Sequence, residues 1–165
     1  MNWLLIIAAL ILIWRIAEGV HRGMVKEIIS FVSLIVLCLA VALLGTALSK
    51  YFEKDIVSMA VAILLLLVLC IAHRLLGLVF FSAKLISKLP VVHSLDKVMG
   101  AFIGVLETIL LLWTLFSLVI TFGMGMFGRQ IIQYASDSTV MGFLYRYNYL
   151  QHLVDFLAQK IGFIL

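Results

Sequence analysis

Few residues of this 165-residue chain are of types that do chemistry, and most of them stand singly. His21, His73, His93 and His152 show neither HExxH nor any other metal-ligand spacing. No GxSxG, Walker A loop or GxGxxG occurs. Cys38 and Cys70 lie inside apolar runs, far from any CxxC spacing, and read as small buried hydrophobes rather than as a disulfide or metal site. Asp96 beside Lys97 has the form of an acid/base pair, but an Asp that starts a helix and answers the positive end of its dipole is the simpler account. The sequence therefore predicts a non-enzymatic protein with no catalytic residue, no metal and no cofactor.

The informative residues are charges set within apolar runs. Glu107 stands ten residues beyond Lys97, roughly 15 Å along a helix and so near mid-bilayer. Arg15 stands seven residues before Arg22, roughly 10 Å in from the same membrane face. Charge at such depth is costly unless something answers it. One reading is an Arg15–Glu107 ion pair, or a hydrated polar cluster that also uses Glu18. The other is that Arg15 snorkels to the interface while a protonated Glu107 is hydrogen-bonded separately.

The elements that must position these charges follow from composition. The chain is 65% hydrophobic and 12% charged, with a mean hydropathy of +1.26. Soluble domains are about 45–50% apolar and about 25% charged, so an all-α membrane protein is expected. Four spans are predicted, at about 3–20, 29–48, 56–81 and 98–122, within a transmembrane domain of residues 1–128. The first is a retained span rather than a signal peptide, because Arg15, Arg22 and Lys26 follow its apolar run instead of preceding it. Glu18 to Ile28 reads as a short polar connection, in which Gly19 and Gly23 let the chain turn or two helices touch. Glu18 and Arg22 form a supportive i,i+4 pair, whereas Arg22 against Lys26 would repel. Lys50 to Asp55 reads as a tight turn. The third helix continues past His73 and Arg74 toward the interface, with Lys84 and Lys88 on one side, and ends at Pro90.

The fourth span presents Gly100 and Gly104 four residues apart, a spacing that lets a neighbouring helix approach closely, within the monomer or between copies. Gly123 to Gly128 breaks it. Residues 129–165 form an amphipathic helical tail, capped by Asp137 or Ser138. Its stripe is Phe143, Tyr147, Leu150, Val154, Leu157 and Ile161. The tail could lie on the membrane, pack on the bundle or pair with a second copy. Lys and Arg collect after spans one and three, which places both termini outside the cytoplasm. The basic balance of this chain speaks for anionic headgroups, not nucleic acid.

Gly19, Arg22, Gly23 and Glu27 in EGVHRGMVKEIISFVSL, followed by LDKVMGAFIGVLETILL from Leu95, resemble the two signatures of the CvpA, or colicin V production, family. The likeness covers roughly residues 3–122, and the tail carries no part of it. Asp96, Gly100 and Gly104 are the matching positions in the second motif. The chain departs from the family at Asn2, Leu4 and Leu5, where an acidic residue tends to occur, and at Glu107, where a basic one does. The resemblance implies a bacterial inner-membrane accessory protein involved in toxin production or secretion, or in envelope homeostasis. Secretion or envelope proteins would be its partners, along with the lipid bilayer. The alternative is a small homo-oligomeric channel or transporter that uses the Arg15/Glu18/Glu107 cluster.

Overall fold

The structure, a computed structural model, describes residues 2–49, 55–82, 93–123 and 125–162. Among these are seven helices and no strand: α1 (Trp3–Arg22), α2 (Met24–Ser49), α3 (Asp55–Ser82), α4 (His93–Phe122), α5 (Gly125–Ser136), α6 (Thr139–Arg146) and α7 (Tyr149–Gly162). The segments α1, α2 and Leu95–Phe122 of α4 are each long and apolar enough to cross a bilayer. Within α3, the apolar stretch Ala60–Leu76 is shorter. Lys50, Lys84, Lys88 and Pro90 lie outside the described residues, and with them the expected turn after α2 and the expected end of the third helix.

The chain reverses between α1 and α2 at one residue. Gly23 has φ +78°, in the left-handed region that glycine enters without steric cost, and its N–H donates to Gly19 O at 3.0 Å. The polar stretch from Glu18 to Ile28 is thus helical except at Gly23, rather than a connecting loop. Arg22 and Lys26 consequently sit on different helices and do not form the repulsive i,i+4 pair that their spacing suggests.

α4 is the central element and touches every other helix. Gly19 lies against Gly100, Arg15 against Gly104, and Ala8 clusters with Leu112 and Phe116, so α1 runs antiparallel to α4. Met24 meets Asp96 and Gly45 meets Leu118 and Phe122, so α2 runs parallel to it. Ser30 meets His73 while Gly45 approaches Leu65, which makes α3 antiparallel to α2. This up-and-down order puts Asn2 and the tail at one end of the bundle and the α1–α2 reversal at the other. Leu34, Cys38, Leu69, Leu118 and Val119 fill the core. Outward, Leu10, Ile13, Trp14, Val32, Val36, Leu64, Leu67, Ile71, Val98 and Phe102 are all exposed. So much contiguous apolar surface fits a lipid environment and not water.

α4 ends before Gly123 (φ +66°), and α5 begins at Gly125. The bundle therefore gives way to the tail five residues before position 128, which falls inside α5. The tail is three helices rather than one. Ser138 caps α6 by accepting from Met141 N, and the helix then breaks at Tyr147 and Asn148. Asn148 explains the break: its Oδ1 accepts from Gln151 N at 3.1 Å, capping α7, while its Nδ2 donates to Trp113 O at 3.0 Å. The expected apolar stripe divides accordingly. Leu150 and Val154 join the core, whereas Phe143 and Tyr147 are exposed. Ile161 lies outside the residues whose side chains are described.

The closest helix contact is backbone against backbone. A Cβ added at Gly100 would lie 2.2 Å from Gly19 O, and one added at Gly142 would lie 3.3 Å from Ala135 O. Gly100→Ala should therefore cost about 1–3 kcal/mol, the usual range for overpacking, and Gly142→Ala should cost less. Unfolding of both variants in mixed micelles by titration with a denaturing detergent checks the contrast, and equal midpoints would contradict it.

Candidate functional site

Where α1, α2, α3 and α4 converge, polar side chains replace apolar ones. The α1–α4 glycine contact sets the geometry. Gly19 and Gly100 let the backbones meet, and a Cβ at Gly104 would lie only 2.5 Å from Arg15 O. With the helices this close, Arg15 projects into the bundle and is 6% exposed, and Glu107, three residues past Gly104, is 0% exposed. Gly104 O is itself in use as the acceptor of Thr108 Oγ1 at 3.0 Å, so the hydroxyl beside Glu107 is satisfied within α4.

Arg15 is the hub. Its Nη2 donates to Glu107 Oε2, and its Nη1 donates to Glu18 Oε2 at 2.9 Å. Glu18 is shared, since its Oε1 accepts from Arg22 Nη2 at 2.5 Å. The i,i+3 and i,i+4 spacings on α1 put Arg15, Glu18 and Arg22 along one face. His73 completes the group from α3, with Nε2 3.3 Å from Arg15 Nη2 and 3.2 Å from Ser30 Oγ. A guanidinium has only donors, so Nε2 accepts and the imidazole proton sits on Nδ1.

Among the described residues, four buried polar groups here have no hydrogen-bond partner: Arg15 Nε, Glu107 Oε1, His73 Nδ1, and both carboxylate oxygens of Glu27, which is 1% exposed. Buried polar groups in native proteins are nearly always paired, so a concentration of bare ones sets this junction apart.

The remaining motif residues form the rim. Asp96 Oδ1 accepts from Met24 N at 2.7 Å, and its carboxylate packs where a Cβ on Gly23 would lie 2.1 Å from Oδ2. Asp96 lies in the first turn of α4, as its spacing suggests, but the backbone donor it satisfies belongs to the start of α2. Gly19, Gly23, Gly100 and Gly104 serve close packing within the chain. Sequence reasoning missed Ser30 and His73. The polar interruption at His73 and Arg74 was a signal, but nothing in the sequence tells which helix His73 faces. Among the described residues, no group of three or more His, Cys, Asp or Glu side chains could hold a metal ion.

The fold and this junction define a multi-pass, all-helical membrane protein with an ion pair buried between its first and fourth long helices. A family model described as colicin V production protein matches residues 5–151, and the chain belongs to that family. The match reaches α7, so the tail shares in the likeness that the two motifs alone confine to residues 3–122. No curated protein and no solved structure matches the chain.

Removing one partner of a buried ion pair costs about 3–5 kcal/mol, whereas replacing both by apolar groups is often neutral. Arg15→Met and Glu107→Leu should therefore each destabilise on that order, and the double variant should lose far less than their sum. A double-mutant cycle read by detergent unfolding measures the coupling. Additivity within about 0.5 kcal/mol would mean the two side chains do not act as a unit.

Proposed function

We propose that this protein is a four-span component of the bacterial inner membrane, with α3 as the third span, that serves toxin production or secretion, or envelope homeostasis, without catalysing a reaction. The family match over residues 5–151 carries this reading. The up-and-down helix order supports a common side for Asn2 and the tail. The bias of Lys and Arg toward the opposite end favours an extracytoplasmic location for both. Packing supports a tail that belongs to the bundle: Trp113 Nε1 donates to Leu144 O at 3.1 Å, Asn148 Nδ2 reaches Ser117 Oγ at 3.2 Å, and Asn2 Nδ2 donates to Tyr134 O. The tail's exposed outer face, including Tyr149 and Phe156, is then available to lipid or to secretion and envelope proteins.

The bare carboxylate oxygens favour a second reading, a small channel or transporter. Such a protein would gain from oligomerisation, but Gly100 and Gly104 are occupied inside the chain, so copies would have to meet through another face. It predicts flux in proteoliposomes that drops with Glu107→Gln, and no flux under any gradient would remove it.

In a cysteine-free background, an impermeant thiol reagent applied from outside should label His152→Cys and not Lys97→Cys. The reverse pattern would overturn the orientation. Deleting the gene from a toxin-secreting host should reduce toxin release or tolerance of envelope stress. A deletion strain matching its parent in both would overturn the functional reading. Cross-linking in intact cells then separates an accessory, which captures secretion or envelope components, from a channel, which captures only itself.

A further inference from the structure

Among the described residues, Glu27 is the one wholly buried carboxylate at the junction that no ion pair reaches. It lies one turn into α2, is 1% exposed, and accepts no hydrogen bond at either oxygen. The charges that act on it from α1 are Arg15, Arg22 and Glu18. Both guanidiniums are already engaged, Arg15 with Glu107, Glu18 and His73, and Arg22 with Glu18. From α4, Asp96 is held by Met24 N and Glu107 by Arg15. From α3, His73 presents a lone pair to Arg15 and Ser30 and so has no proton to offer at Nε2. On α2 itself, Lys26 precedes Glu27 and is half-buried.

A buried ionised carboxylate with no hydrogen bond is costly by several kcal/mol, and a protonated one costs much less. We propose that Glu27 is an intramembrane proton-binding site: it carries a proton in this arrangement, and releasing that proton draws the Arg15 guanidinium toward it. The parts for that second arrangement are in place. Arg15 Nε is a buried donor with no acceptor, Glu107 Oε1 a buried acceptor with no donor, and His73 Nδ1–H a buried donor beside them. The one bond broken is the carboxyl O–H: the proton passes from Glu27 to water at the near end of the bundle, leaving a carboxylate that Arg15 then answers. Through its spare Nε, Arg15 is then shared between Glu107 on α4 and Glu27 on α2, so the proton is coupled to the contact between α1 and α4. Nothing here rests on a role in toxin release, and the test below can fail without touching that reading.

Infrared difference spectroscopy of the full-length protein in lipid vesicles, recorded between neutral and alkaline pH, reads the proton directly through the C=O stretch of a carboxylic acid. The wild type should show such a band at neutral pH, shifted by deuterium oxide and lost as pH rises. Glu27→Gln should abolish it and Glu107→Gln should leave it. No carboxylic acid band, a band that persists in Glu27→Gln, or one lost with Glu107→Gln as well would each overturn the assignment. Should Glu27→Gln fail to fold, Glu27→Asp retains a carboxyl in a changed position. Its band must then move from the wild-type frequency, and an unmoved band would overturn the assignment equally.

Discussion

An arginine cannot shed its charge, so once Arg15 is buried the rest of the junction is obliged to answer it. Its partners come from three directions: Glu18 on its own helix, Glu107 on α4 and His73 on α3. That requirement fixes more than side-chain positions. A guanidinium reaches only so far, so α1 must lie against α4 closely enough for the two groups to meet. The glycines make this possible, because any Cβ at Gly19, Gly100 or Gly104 would strike backbone on the facing helix. Packing and electrostatics therefore depend on each other. The glycine contact gives the ion pair its geometry, and the ion pair selects this register over others a glycine-lined groove would tolerate.

The opposite end of the bundle is held by different means. There Ala8, Leu112, Phe116, Ala135 and Met141 pack together, Tyr145 meets the Phe116 ring edge-on at 5.4 Å, and Tyr149 meets Trp113 at 5.6 Å. Asn148 binds the helix break to α4 through Trp113 O and Ser117 Oγ. Within a membrane the hydrophobic effect does little to hold helices together, and such packing and interhelical hydrogen bonds carry the association instead. The tail end offers many small contacts of this kind. The cytoplasm-facing end in the proposed orientation concentrates its cohesion in a few charged groups, so a change in one charge acts there and not at the tail.

Much of this was legible in the sequence, and the reason is depth. Apolar run length locates the spans, and a residue's distance from the charged end of its run gives its height in the bilayer. Arg15 and Glu107 were matched that way, and the structure brings them together. Height says nothing about azimuth. Glu27, Ser30 and His73 occupy compatible heights, but which face of each helix turns inward depends on packing between helices. The tail failed for a related reason. Its residues at steps of three and four read as one continuous stripe, while the structure breaks the helix at Asn148 to reach α4. A side chain that leaves a local periodicity for a distant backbone carbonyl gives no local sign of doing so.

Why the junction is ionic at all is decided by its unused groups. Apolar residues of similar volume would have packed as stably as a buried ion pair, so stability alone does not account for the charges. A purely structural lock that fixes helix register needs each polar atom satisfied once, because every bare one weakens it. Arg15 holds Glu107 through one oxygen and leaves the other bare, keeps Nε unused, and lies among the charges acting on a carboxylate that accepts nothing. Spare donors and acceptors gathered at one junction are what a second arrangement of the same side chains requires. Register explains why Arg15 faces Glu107. It does not explain why Glu27 is buried at the junction, and a proton that comes and goes does.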